Sequence, residues 1–147
     1  VLGECRGPEV RDVLTALNTG HEGGWATLHA NSPADVPARL TALGALAGLD
    51  EAAVAAQAAS ALDAVVHLRR QDTGAGARRY VASIGVLRRK TTPAGTVLVC
   101  QEALRVGDDG RPTPGPAAPA LRERIGLQAF SRLRLGLPDG SGEGRTT

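Results

Sequence analysis

Val1-Leu2-Gly3-Glu4-Cys5-Arg6-Gly7-Pro8-Glu9-Val10 is the stretch on which the fold turns. Val1 and Leu2 read as the end of a buried strand, closed by the acid Glu4. Two apolar residues cannot make a strand that stands alone. Residues upstream are therefore expected to share its sheet, and the chain is expected to be a C-terminal fragment. Pro8 then suits a first helical turn, where its missing N–H would have no partner. Val10, Val13, Leu14 and Leu17 recur at helical spacing up to Asn18. Gly20 can take the left-handed conformation that follows a helix. A strand that feeds a helix through a short turn indicates an α/β fold.

The alternation continues outward. Trp25 to Ala30 reads as a short strand after the loop glycines Gly23 and Gly24. Ser32 is a cap and Pro33 a first position for the next helix, with Pro37 delaying its start because it has no N–H to give. Leu40, Leu43 and Ala47 form its apolar face and Gly48 ends it. Asp50 caps a helix over 51–61, whose alanines favour helix strongly. The period then changes from helical to alternating. Ala64 to Leu68, Tyr80 to Leu87, and Thr96 to Cys100 with an extension toward Val106 read as strands. Turns are expected over 71–77 and 92–95, so the three strands form an antiparallel β-meander. Residues 108–120 read as a Pro-rich linker, 121–135 as a short helix, and 136–147 as a disordered tail.

Composition narrows the functions. In 147 residues there are three aromatic side chains, so a stacking platform for single-stranded nucleic acid is unlikely. No apolar run reaches the ~18–20 residues that span a bilayer. Cys5 and Cys100 lack metal-site spacing and are too few for a disulfide scaffold, which favours a cytoplasmic setting. Charge is polarised. Residues 1–66 carry three arginines against eight acids, a net −5, and residues 67–147 carry fourteen basic residues against seven acids, a net +7. The arginine runs at 69–70, 78–79 and 88–90 flank predicted strands, where such runs are mostly solvated strand ends or subunit contacts.

Three groups of residues can carry chemistry. An acid at the carboxyl end of a strand in an α/β sheet faces the ligand crevice, and in nucleotide hydrolases it serves the Mg²⁺ shell or the attacking water. Glu4 fits that role, although an ordinary strand-end Glu is the commoner case. Gly20-His21-Glu22-Gly23-Gly24 and Thr27-Leu28-His29-Ala30-Asn31-Ser32 place two histidines among glycines that admit a ligand to the backbone. A metal site would need further Cys or His at regular spacing, which is lacking. Arg6 and Arg39 can grip phosphate in bidentate fashion, or pair with acids such as Glu9 or Asp35. The phosphate-binding pattern G-x-x-x-x-G-K-[ST] does not occur in these residues.

Taken together, the first ten residues resemble the Walker B segment of the type II/type IV secretion-system traffic ATPases. Leu14 to Gly23 is similar to the approach to that family's histidine box, and Thr27-Leu28-His29-Ala30-Asn31-Ser32-Pro33 to the box itself. Arg39-Leu40 and Ala61-Leu62-Asp63 also fall where the family has like residues. The resemblance spans about residues 1–90 and is nearest to the tight-adherence pilus and conjugal-transfer-associated branch of actinobacteria.

The resemblance implies a partial RecA-like P-loop ATPase core over residues 1–107. It implies a homo-hexamer on inner-membrane pilus or secretion platform proteins, peripheral to the inner face of the cell membrane, with ATP and Mg²⁺ as cofactors. Glu4 would be the Walker B acid acting on the Mg²⁺ shell or the hydrolytic water, and His29 the second catalytic residue, near the γ-phosphate. Arg6, Gly20, His21 and Arg39 would be nucleotide-binding. Two departures stand out. No acid lies near Gly85, where the family often has one, and residues beyond about 107 match nothing familiar. Two other readings are kept, a non-catalytic interaction module and a basic nucleic-acid-binding protein.

Overall fold

The computed structural model describes residues 3–20, 23–73, 76–107 and 109–126. Helix α1 (Val10–Asn18) is followed by an irregular segment, a 3-10 turn (Pro33–Asp35), α2 (Val36–Leu46) and α3 (Glu51–Ala61). Strands β1 (Val65–Thr73), β2 (Gly76–Thr92), β3 (Gly95–Val106) and β4 (Pro112–Pro114) come next, then α4 (Ala118–Ile125). The strands form one antiparallel sheet in the order β1-β2-β3-β4. The architecture is thus mixed helix and antiparallel sheet.

Local chemistry sets the helix ends. Asp50 accepts a hydrogen bond from the Ala53 N–H at 2.6 Å, capping α3 as its sequence suggests. Ser32 does not cap with its side chain; its hydroxyl donates to Asp35 at 2.8 Å instead. The prolines at 33 and 37 divide what the sequence presents as one helix start into a 3-10 turn and α2. At the far end of α2, Gly48 has a φ of +74°. The Leu49 and Gly48 N–H groups donate to the carbonyls of Gly44 and Ala45, a Schellman closure. Gly44 itself is required by contact, since a Cβ there would run into the Val54 side chain of α3.

Both faces of the sheet are covered. Val86 and Leu87 are neighbours in β2, point to opposite faces, and are both fully buried. Leu87 and Leu98 join Val10, Leu14, Leu40, Leu43, Val54 and Ala58 from the three N-terminal helices. Val86 and Leu104 join Ala117, Ala118, Ala120 and Leu121 around α4. With three aromatic residues in the whole chain, both cores rest on aliphatic side chains and alanine.

Several sequence expectations need correction. Only Ala26 of the expected strand 25–30 enters a ladder, as a single bridge, and the Cys5 N–H to Thr27 carbonyl bond at 2.8 Å is its link to residues 3–5. Those residues supply too little extended backbone for a longer ladder. The turn expected at 71–77 is largely strand, because backbone pairing continues from Gln71↔Arg78 to Thr73↔Gly76 whatever the side chains. The Pro-rich segment does not behave as a spacer. Pro112–Pro114 pair with Leu104–Val106, and α4 begins at Ala118 rather than Leu121, with Ala117 and Ala118 buried. Proline suits an edge strand and a first helical turn alike, since neither needs its N–H. The expected strand end at Val1-Leu2, the remainder of the 121–135 helix beyond 126 and the 136–147 tail lie outside the described residues.

Candidate functional site

The site is assembled on the extended run 3–6. Successive side chains of an extended segment alternate in direction. Cys5 points into the first core and is buried, while Glu4 and Arg6 share the opposite side. The bond from the Cys5 N–H to Thr27 sets this run beside 27–29, so His29 comes alongside Glu4. Glu4 becomes a hub. The Arg6 guanidinium pairs with Glu4 Oε2, and His29 Nε2 lies 2.8 Å from Glu4 Oε1.

The Glu4 carboxylate is held below its ordinary range, first by the hydrogen bond and charge of Arg6 and less by His29, against an opposing effect of burial. The His29 ring approaches Glu4 Oε1 without the alignment of a hydrogen bond. Oε1 is buried, and among the described residues no group donates a hydrogen bond to it. An ionised carboxylate oxygen in that position is an acceptor in want of a donor. The His29 side chain is 78% exposed, so one side of the cluster faces solvent.

Glu9 is the residue that sequence reading underrated. Its Oε1 accepts the N–H groups of Arg6 at 2.6 Å and Gly7 at 2.9 Å, which folds the 6–9 turn into α1. These backbone bonds hold the Glu9 carboxyl below its usual range. Arg6 therefore pairs with Glu4 by side chain and with Glu9 by backbone. A polar residue directly after a Gly-Pro pair, two and three positions beyond the N–H groups it accepts, is the signal for such a turn.

The other expected site residues are not drawn into this cluster. Gly20 follows α1 with a φ of +91°, in keeping with its expected left-handed role, and is exposed. His21 lies outside the described residues. Arg39 is exposed on α2 and forms no ion pair among the described residues. Its charge is felt at Cys5, where it opposes the upward push of burial and Glu9 on the thiol. Behind the cluster is an apolar cavity of about 170 Å³ lined by residues including Cys5, Val10, Leu14, Trp25, Leu28 and Val65. Gly85 is explained by contact: a Cβ there would lie 2.5 Å from Cys100 Sγ and 3.4 Å from Pro33. Burial pushes the Cys100 thiol up to about 11. Among the described residues no group of three or more His, Cys, Asp or Glu is placed to hold a metal ion directly.

A carboxylate on an extended run, an Arg two residues on and a facing His are the parts of this site. The chain belongs to the type II/IV secretion system protein family, whose model matches residues 1–113. The match extends the resemblance past residue 90 and reaches into β4. Two Mycobacterium tuberculosis proteins, from strains CDC 1551 / Oshkosh and ATCC 25618 / H37Rv, are 50% identical to the chain over 109 residues. Each is named "Putative conjugal transfer protein". The alignment covers 74% of this chain and 30% of each relative. No helix of the described residues is long and apolar enough to cross a membrane.

Proposed function

We propose that these residues form the Walker B and histidine-box part of a motor ATPase that couples ATP hydrolysis to pilus assembly, secretion or conjugal transfer. One observation carries the reading: the Glu4 carboxylate, held below its ordinary range by Arg6, lies 2.8 Å from His29 Nε2. An ionised carboxylate accepts hydrogens from water, including a water of a Mg²⁺ shell, so the residues present fit the group. Mg²⁺ with ATP would supply charge neutralisation for a transferring phosphoryl group. Glu4 orients water by accepting its hydrogen. Arg6 keeps Glu4 ionised and offers free N–H groups toward solvent. His29 stands where it can report on the terminal phosphate, and the family resemblance alone assigns nucleotide binding to Gly20, His21 and Arg39.

The phosphate-binding loop is not among these 147 residues, so it must come from other sequence. The chain spans about a third of the length of the relatives it matches, and the wider assembly is part of the proposal. It comprises a RecA-like core over 1–107, a homo-hexamer and docking on membrane platform proteins at the inner face of the membrane. The family membership and the identity to the conjugal transfer relatives support this reading.

The test is Glu4→Gln in a full-length polypeptide of the family carrying these residues in its matching segment. Removing one preorganised electrostatic group typically costs ~10²–10³ in turnover. We expect a loss of about that size with ATP binding retained, because Glu4 serves water and metal rather than the main nucleotide contacts. Normal turnover by the Gln variant removes Glu4 from the site. Residues 1–147 alone are expected to show no ATP hydrolysis above buffer.

A further inference from the structure

The sheet does not end evenly. Ser83↔Arg105 is the last pairing of β2 with β3, so Gly76–Ala82 pair with β1 alone. These seven residues and Leu68–Thr73 make a two-stranded ribbon that extends about 23 Å beyond the last β2–β3 pair. A two-stranded ribbon is marginal by itself in water, and among its described side chains, Leu68–Asp72 and Gly76–Ala82, none is buried apart from Ala82 at its base.

Its two faces differ. Leu68 registers with Val81 and Arg70 with Arg79, so these four share one face, and Val66 opposite Ile84 continues it toward the body. Leu68 is 58% exposed, Val81 39% and Val66 37%, which makes three of the five large exposed apolar residues of the described structure neighbours on this face. The patch is continuous with the second core, because Ile84 packs under α4. The arginines on the same face are crowded. Arg70 and Arg79 are cross-strand partners of like charge, a pairing that opposes sheet formation. Asp72 reaches Arg70 at 3.4 Å, while Arg79 forms no ion pair among the described residues. Gln71, Arg78 and Tyr80 lie on the other face and border a cavity shared with Val106, Gly107 and Gly110, which Val81 also edges.

We infer that the Val66–Leu68–Val81 face of the ribbon docks an acidic amphipathic helix, with its apolar stripe on those three side chains and its carboxylates on Arg79 and Arg70. Charge complementarity selects acid, since the face offers two guanidinium groups against one carboxylate. The apolar trio selects an amphipathic protein segment over a nucleic acid, whose phosphates would take the arginines and leave Val66 and Leu68 wet. An Arg–carboxylate pair is bidentate and directional, and apolar area beneath it excludes water from the pair, as in other interface hot spots. This reading is independent of the ATPase assignment and uses none of Glu4, Arg6 and His29, although Val66 also edges the apolar cavity behind them.

The probe is a labelled, end-capped helical peptide of about 18 residues, with Leu at i, i+3, i+4 and i+7 and Glu along both flanks. It is titrated into the 147-residue chain at about 150 mM salt. We expect saturable binding that Leu68→Ser and Arg79→Glu each weaken by about tenfold or more. Arg89→Glu makes the same charge change about 33 Å along β2 and is expected to weaken binding less than about twofold. Val81→Thr repeats the apolar test, and melting curves verify that each variant is folded. Polyglutamate or a DNA duplex of equal length binding as tightly as the peptide overturns the inference in favour of a plain polyanion arm. Binding unchanged in both Leu68→Ser and Val81→Thr overturns it, as does no saturable binding of the peptide.

Discussion

Residues 3–31 and residues 76–125 are built by opposite means. The first region holds the Glu4 cluster on a short extended run, one backbone bond to Thr27 and the Glu9-bound turn. Its own buried side chains are Cys5, Val10 and Leu14, and its polar residues are largely exposed. From Ser83 onward the second region is a continuous antiparallel ladder with both faces covered, clamped by α4. Arg124 of α4 donates to the carbonyls of Leu62 at 2.8 Å, Asp63 at 3.3 Å, Ala59 at 3.4 Å and Leu87 at 3.2 Å. It satisfies the C-terminal carbonyls of α3 and a β2 carbonyl beyond Gly85, where β1 pairing stops. The comparison teaches a division of labour. Stability is concentrated in a region with no chemical cluster, and the chemical cluster rests on few contacts, as sites drawn from low-stability segments do.

That contrast is open to direct attack. The largest stability effect belongs to the second region: Leu121→Ala, at a fully buried position of α4, is expected to cost about 2–5 kcal/mol in denaturant unfolding. A loss under about 1 kcal/mol would mean that α4 is not part of the cooperative unit. Next comes Arg124→Ala, which leaves several carbonyls without a donor and is expected to cost ~1–3 kcal/mol. Arg124→Lys recovers part of this, because an ammonium carries the charge to the α3 terminus without the planar fork. Equal losses for Ala and Lys would assign the whole effect to geometry.

The first region should behave differently. His29→Ala removes an exposed side chain, so unfolding free energy is expected to move by less than about 0.5 kcal/mol. Turnover of a full-length polypeptide of the family carrying it is nevertheless expected to fall strongly. A lowered melting temperature with unchanged turnover per folded molecule would return His29 to a structural role. The smallest effect concerns acid. Glu4 and Glu9 titrate below 4.5 in the folded protein, so their stabilisation is present above that value and lost as pH falls through their folded values. Glu9→Gln removes one such group, and its melting temperature should fall less steeply than the parent's as pH drops through the range below 4.5. Parallel curves would show that the Glu9 bonds do not contribute.

Much of the site was legible because it depends on local order. Glu4 followed by Arg6, and the Gly-rich approach to His29, are patterns of adjacent residues, and a single backbone bond suffices to bring the two segments together. Gly20 and Gly48 were readable for a similar reason, since left-handed closure after a helix is a local requirement. Arg124, Gly44 and Gly85 were not readable in the same way. Each answers to a partner distant in sequence, and no spacing rule within one element reports on such a partner.

The sequence by itself determined the span of α3, the stops of α1 at Asn18 and of α2 before Gly48, the switch from helical to alternating period after residue 61, and the polarised charge. These follow from dihedral preferences, capping and side-chain alternation, all of which act within a few residues. Only the tertiary structure decided that Pro112–Pro114 is a fourth strand, that α4 closes the second face, that β1 and β2 run on as a bare ribbon, and that Arg39 stands apart from Glu4. Those outcomes depend on which edges and faces remain unpaired once the chain has folded, and that is a property of long-range contacts rather than of any one segment.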